Sequence, residues 1–290
     1  MNTPRQFWRK LAGSRLLTAL SARLICAGLV RESGRFLLRQ ETRPAGVFHY
    51  RLRRGGATVA LRHSVQDGAT MAEVFHRDDY SPPAELAAAL TSPRRVLDLG
   101  ANIGLFGIYA AQRWPQASIV GYEADPDNAD VHEQTIAANG LGARWRLERM
   151  AAGARDGQVE LAAGRAMGSF VVEPGTDPGV PTIQVPVRDV MGEISAADLV
   201  KLDIEGGEWE ILGDARFRRE PPPVVVLEYH PHLGPDSDPR AAAERALSDA
   251  GLRIADIWHR SDGYGMLWAW RPGVEGPQSE PSSGAVGQSI

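Results

Sequence analysis

The run Val96-Leu97-Asp98-Leu99-Gly100-Ala101-Asn102-Ile103-Gly104-Leu105-Phe106 constrains this chain more than any other stretch. Two apolar residues lead to an acid, then to glycines four apart, then to apolar residues at helical spacing. That order describes a buried strand ending in a tight turn that opens onto a helix N-terminus. A second strand-like run, Ala117 to Tyr122, ends at Glu123. An acid at the tip of the second strand is where a nucleotide-binding α/β fold holds ribose hydroxyls.

The dinucleotide fingerprint has a glycine in the middle of its turn, where backbone must approach a pyrophosphate. Asn102 stands there instead, and Asp98 precedes the turn. A carboxylate would repel a diphosphate but suits a cationic ligand end, such as an amino group beside a sulfonium. This pattern resembles the first motif of the class I S-adenosylmethionine-dependent methyltransferases. An NAD-dependent oxidoreductase would share the fold, and Asn102 argues against it.

At 290 residues the chain holds one α/β domain plus a smaller appendage. A net charge of −4 and a pI near 6.0 give no bulk electrostatic support to a nucleic-acid partner, and none is expected. Cys26 is the single cysteine, which excludes an internal disulfide and a cysteine-rich zinc site. It reads as a small apolar residue on a helix face, and a reducing, cytoplasmic setting fits.

Residues Phe7 to Val30 contain no proline and predict a helix with an apolar stripe of Leu17, Leu20, Leu24 and Ala27. Arg23 interrupts its apolar run, which is too short for a membrane span. Packing on the core or on a partner is expected, with weak membrane-surface association as the alternative. Short strands follow from Val47 to Leu61 as a hairpin around Gly55-Gly56, then a short helix at Ala72 to Phe75. Pro82-Pro83 closes this region. Three segments are therefore expected: residues 1–82 as a helix and β-hairpin appendage, 83–272 as a Rossmann-like domain, and 273–290 as a disordered tail.

Within the main domain, helices at Pro83–Leu90, Ile103–Arg113, Pro126–Asn139 and Ala241–Gly251 alternate with strands at Arg95–Leu99, Ser118–Glu123, Ala143–Met150, Leu199–Ile204 and Val224–Glu228. Val159–Leu161, Phe170–Val172 and Ile183–Val187 predict a partly antiparallel insertion. Two runs flanking Asp262-Gly263 predict a closing hairpin. The fold class expected is therefore α/β, a mostly parallel Rossmann-like sheet with a closing antiparallel hairpin. Asp98, Glu123, Met150, Asp203 and Glu228 fall at strand ends, so one sheet edge receives them all.

Lys201-Leu202-Asp203-Ile204-Glu205-Gly206-Gly207-Glu208, read with the glycine turn, resembles the FkbM family of methyltransferases, whose hallmark is a strand ending in K-x-D-x-E-G-x-E. The similarity runs from about Tyr50 to His230, and the family's usual Thr-Leu-Asp is here Val187-Arg188-Asp189. The resemblance implies S-adenosylmethionine as cofactor and O-methylation of a hydroxyl on a sugar, lipid or secondary metabolite. Carried over by position, Asp98, Gly100, Ala101, Asn102 and Gly104 would cradle the methionine end. Glu123 would accept the ribose hydroxyls, and Met150 with Ala151 would border the adenine.

An alcohol is a poor nucleophile, so a base would help, and Asp203, Glu205 and His230 are the catalytic candidates, with Glu228 at the same edge. Lys201, Asp203 and Glu205 alternate along one strand face and could equally form a structural ion-pair cluster. Asp203, Glu205 and Glu228 are oxygen donors of the kind that hold Mg²⁺, but nothing in the sequence shows that they converge, and no metal ligand is assigned. A methyltransferase-like binding module without turnover shares every one of these motifs.

Overall fold

The computed structural model describes residues 15–162, 170–172, 179, 181–234 and 237–274. The chain opens with helices α1 (Arg15–Leu29) and α2 (Ser33–Thr42), the hairpin β1 (Val47–Arg51) and β2 (Thr58–Arg62), and helices α3 (Asp67–Phe75) and α4 (Ala84–Ala87). The part of the first expected helix before residue 15 lies outside the described residues. Within α1, Cys26 and Ala27 are buried, but Leu24, expected on the apolar stripe, is 54% exposed. Helix α2 has no counterpart among the expected elements, because Phe36 is its one buried residue and no apolar stripe runs along it. Helix α3 starts five residues earlier than expected, where Asp67 accepts the Arg62 N–H at 2.7 Å and its guanidinium at 3.0 Å. Helix α4 is a single turn, not the eight residues expected from Pro83.

The sheet strands are β3 (Arg95–Leu99), β4 (Ser118–Tyr122), β5 (Trp145–Glu148), β10 (Leu199–Leu202), β11 (Val224–Tyr229), β12 (Arg253–His259) and β13 (Gly265–Trp270). Between β5 and β10 lie β6 (Ala151–Gly153), β7 (Gly157–Ala162), β8 (Phe170–Val171) and β9 (Ile183–Asp189), which form a separate sheet of order β6-β9-β7-β8. The main sheet has order β12-β13-β11-β10-β3-β4-β5. Strands β3, β4, β5, β10 and β11 run parallel, and β13 is antiparallel to both β11 and β12. The expected α/β class, with its closing hairpin, is what the chain forms.

From β3 the chain moves out one way through β4 to β5, then returns through the second sheet to lay β10 on the other side of β3, so the strand order reverses beside β3. Ligands of open α/β sheets sit at the carboxyl ends of such strands. Helices α5 (Leu105–Arg113) and α6 (Pro126–Ala138) follow β3 and β4. Asp125 caps α6 by accepting the Asp127 N–H at 2.8 Å, with proline at the first helical position. Helices α7 (Met191–Ala196), α8 (Glu208–Gly213), α9 (Ala215–Arg219) and α10 (Pro239–Asp249) complete the other layer. Helices α7 and α9 are too short to show a periodic stripe in sequence.

Val30, Phe36, Tyr50 and Leu61 belong to the same buried cluster as Val96, Phe106 and Trp114. The N-terminal elements therefore pack directly on the sheet's α5 face. Among the described residues no helix is long and apolar enough to cross a membrane. The expected tail falls, from residue 275 onward, outside the described residues.

Candidate active site

The turn after β3 is built by steric necessity. Gly100 has φ +75°, and a Cβ there would lie 1.7 Å from the Asp203 carbonyl oxygen. At Gly104, φ is +85° and a Cβ would meet the His132 ring at 2.7 Å. Asn102 takes φ +47° without being glycine, and its Oδ1 accepts the Ile103 N–H at 2.7 Å. His132, which sequence reasoning passed over, closes this turn from below. Its Nδ1 donates to the Asn102 carbonyl at 3.1 Å. Burial pushes its pKa down to about 4, so the ring is neutral. Nothing in the sequence distinguishes it from any other histidine on a buried helix face.

Glu123 at the tip of β4 clasps the turn. Its Oε2 accepts the Asn102 N–H at 2.7 Å and its Oε1 the Asp125 N–H at 2.8 Å. Burial raises its pKa to about 7 against the pull of those amides.

A cleft opens over these strand tips. Gly100, Asn102, Glu123, Met150 and Ala151 line it, with Asn128 beside Glu123 and with Asp203 and Glu205 on the opposite wall. Asp98, Ala101 and Gly104, expected in the same cradle, do not reach it. Asp98 has no exposed surface and sits directly beside Lys201 in the β3–β10 register. The Lys201 ammonium lies 3.3 Å from Asp98 Oδ1 and 3.1 Å from Asp203 Oδ2, and donates to the Gly100 carbonyl at 2.7 Å. The acid read as facing a cationic ligand is therefore matched by an internal cation. Burial still pushes the Asp98 pKa up, against Lys201's attraction. Burial disfavours the Lys201 charge, but Asp203 and Asp98 outweigh it and hold the ammonium protonated. The chain has 30 arginines and only two lysines. A compact ammonium serves here because three acceptors converge on one point.

The catalytic candidates converge as well. His230 Nε2 stands 3.5 Å from Glu205 Oε2 and 3.8 Å from Asp203 Oδ1. Glu205 reaches this position from a left-handed backbone, φ +52°, followed by Gly206 at +103°. His230 is 3% exposed and lies behind the two carboxylates. Its Nδ1 donates to Glu208 Oε1 at 3.0 Å, while Glu208 Oε2 accepts the Gly206 N–H at 2.8 Å. Glu208 is thus a buried strut: one oxygen holds the turn through a backbone N–H, as a capping glutamate at this place in the motif would, and the other braces His230. Burial opposes the His230 charge, but the bond and charge of Glu208 and the charges of Glu205 and Asp203 overcome it and raise the pKa to about 10. An imidazolium has no free lone pair, so His230 does not fit the role of base. Burial raises Glu205 to about 7. Burial, reinforced by Asp203, pushes Glu228 well above the carboxylate range. Atoms of Asp203, Glu228 and His230 lie within 4.8 Å of one another, close enough to share a metal ion. A metal would first have to displace a proton from His230.

A mostly parallel sheet that reverses order at β3, closed by an antiparallel hairpin, with a glycine turn and an acid at adjacent strand tips over one cleft, is a Rossmann-like α/β fold with a nucleotide-type site. Residues 98–253, over half of the chain, match the methyltransferase FkbM domain, and the chain belongs to that family. Methyltransferase sdnD of Sordaria araneosa is 34% identical over 68 residues, which are 23% of this chain and 26% of that protein. The chain therefore aligns with about a quarter of that relative's length. Among solved structures, a precorrin-6y C5,15-methyltransferase from Geobacter metallireducens is 16% identical, with 64% of this chain and 86% of that one covered and a TM-score of 0.38. An O-methyltransferase family protein from Burkholderia thailandensis is 16% identical, with 72% and 58% covered and a TM-score of 0.40.

Proposed function

We propose that this methyltransferase moves a methyl group from S-adenosylmethionine to a hydroxyl of a sugar, lipid or secondary metabolite. One observation carries the cofactor assignment: Glu123, fixed by two backbone amides, lines the cleft beside the glycine turn. Oε2 keeps a lone pair for one ribose hydroxyl, and Oε1, which also takes the Asn128 amide N–H at a long 3.5 Å, can exchange that bond for the second, so the acceptor set fits a nucleoside. Met150 and Ala151 offer an apolar wall for a purine, and Gly100 and Asn102 give the methionine end backbone to lie against. The bound cofactor supplies an activated methyl on a sulfonium, which leaves as a neutral thioether.

The chain's own contribution is alignment and proton removal. Asp203 is at the cleft wall with a 22% exposed side chain, anchored through Oδ2 to Lys201. Its other oxygen is directed toward His230 Nε2 at 3.8 Å and is the candidate acceptor of a substrate hydroxyl proton. The His230 imidazolium, 3.5 Å from Glu205, draws the Glu205 pKa down against the larger effect of burial. Calorimetry with S-adenosylmethionine tests the cofactor reading: Glu123→Ala should weaken binding by roughly 2–4 kcal/mol with the fold intact. Wild-type affinity in that variant, or tighter binding of NADH, would remove it. Transfer of labelled methyl to a panel of hydroxylated acceptors separates an enzyme from a binding module that lacks turnover.

A further inference from the structure

The net charge conceals an uneven distribution. The first 62 residues carry 13 lysines and arginines against two acids, Glu32 and Glu41. The remaining 228 residues carry 19 against 34. The described part of the basic segment is α1, α2 and the β1–β2 hairpin. On it Arg31, Arg35, Arg43, Arg51, Arg53 and Arg54 are exposed, and none forms an ion pair among the described residues.

Apolar surface accompanies this charge. Leu24 on α1 is 54% exposed and Leu38 on α2 is 65% exposed. The Arg23–Glu41 ion pair, at 2.8 Å, ties the two helices together beside these leucines. Arg35 and Leu38 are one turn apart and share a face of α2. Two large exposed aliphatic side chains beside arginines that have no carboxylate partner match a surface that is both anionic and apolar.

We propose that the face made by α1, α2 and the β1–β2 hairpin docks on an anionic lipid bilayer. Arginines meet lipid phosphates at the headgroup level, and the leucines enter the acyl boundary beneath them. The acidic remainder of the chain is repelled by the same surface, so the charge asymmetry orients the molecule with its N-terminal elements toward the lipid. A nucleic acid would satisfy the arginines but offers no sink for the leucines. The large apolar side chains standing exposed among the described residues are aliphatic, not the aromatic platforms on which bases stack.

Cosedimentation of the full chain with vesicles tests this. Phosphatidylcholine vesicles with about 30% phosphatidylglycerol should take up at least tenfold more protein than pure phosphatidylcholine at about 0.1 M salt, and about 0.5 M salt should abolish the difference. The pair Arg35→Glu/Arg54→Glu should lower uptake roughly tenfold, and Leu24→Gln/Leu38→Gln by a similar factor. Arg35→Lys/Arg54→Lys should retain it, and circular dichroism on every variant checks the fold. The proposal fails if anionic vesicles take up no more than neutral ones. It fails equally if neither pair of substitutions matters, or if single-stranded RNA outcompetes vesicles while the leucine variant binds as wild type.

Discussion

Glu208 Oε1 accepts both the backbone N–H and the Nδ1–H of His230, at 2.8 and 3.0 Å, from a site with no solvent exposure. One carboxylate oxygen thus sets the position and the charge of a histidine that stands between β11 and the cleft.

The pH dependence of stability follows from that bond. The pKa of His230 is raised in the folded state, to about 10 from 6.5. Its stabilisation is therefore complete below about pH 6.5 and is lost as pH rises through about 10. Urea unfolding should show a fall on the order of 5 kcal/mol across that window. Glu208→Gln, which keeps the shape and removes the charge, should flatten the fall. An unchanged profile in that variant would show that Glu208 does not hold the proton.

The roles of Asp203 and His230 separate kinetically. Asp203→Asn should lower kcat by about 10²–10⁴-fold with cofactor affinity nearly unchanged, and the acidic limb of the pH–rate profile should disappear. His230→Gln should mainly lower the melting temperature, because it strands the buried Glu208 charge. Loss of the acidic limb in the histidine variant alone would transfer the base role to it.

Cofactor affinity should depend on the ionisation of Glu123. Its pKa near 7 leaves the carboxylate partly protonated at neutral pH. Affinity for S-adenosylmethionine should fall about tenfold for each pH unit below 7 and level off above it. In Glu123→Gln that dependence should vanish at a uniformly lower affinity. Calorimetry at three pH values distinguishes the two profiles.

Lys201 is the structural keystone of the strand tips. Replacing it by methionine strands Asp98, which has no exposed surface, and should cost about 3–5 kcal/mol. Adding Asp98→Leu should recover about 1–2 kcal/mol, since an unpaired buried carboxylate is then removed. Denaturant titration of the single and double variants measures both. No recovery in the double variant would place the cost in the lost hydrogen bond to the Gly100 carbonyl.

Much of the candidate site was legible from local chemistry. Gly100 and Gly104 mark a turn that no Cβ can enter, and Glu123 marks a strand tip by following an apolar run. Asp203 and Glu205 stand in a motif whose spacing is short enough to survive as sequence. Helix α2 was not legible, because a ten-residue helix anchored by Phe36 alone leaves no stripe to read.

What the sequence by itself determined was the α/β class, the glycine turn and the family, since each depends on residues close together in the chain. Tertiary structure alone decided partnership. Lys201 meets Asp98 because β10 pairs with β3 across about a hundred residues, and that register turned a predicted ligand contact into an internal ion pair. His230 became a cation because α8 brings Glu208 beneath the end of β11. His132 became the floor of the turn because α6 packs under it. A buried charge takes its character from whichever groups exclude water around it, and those groups are assembled only when the sheet closes.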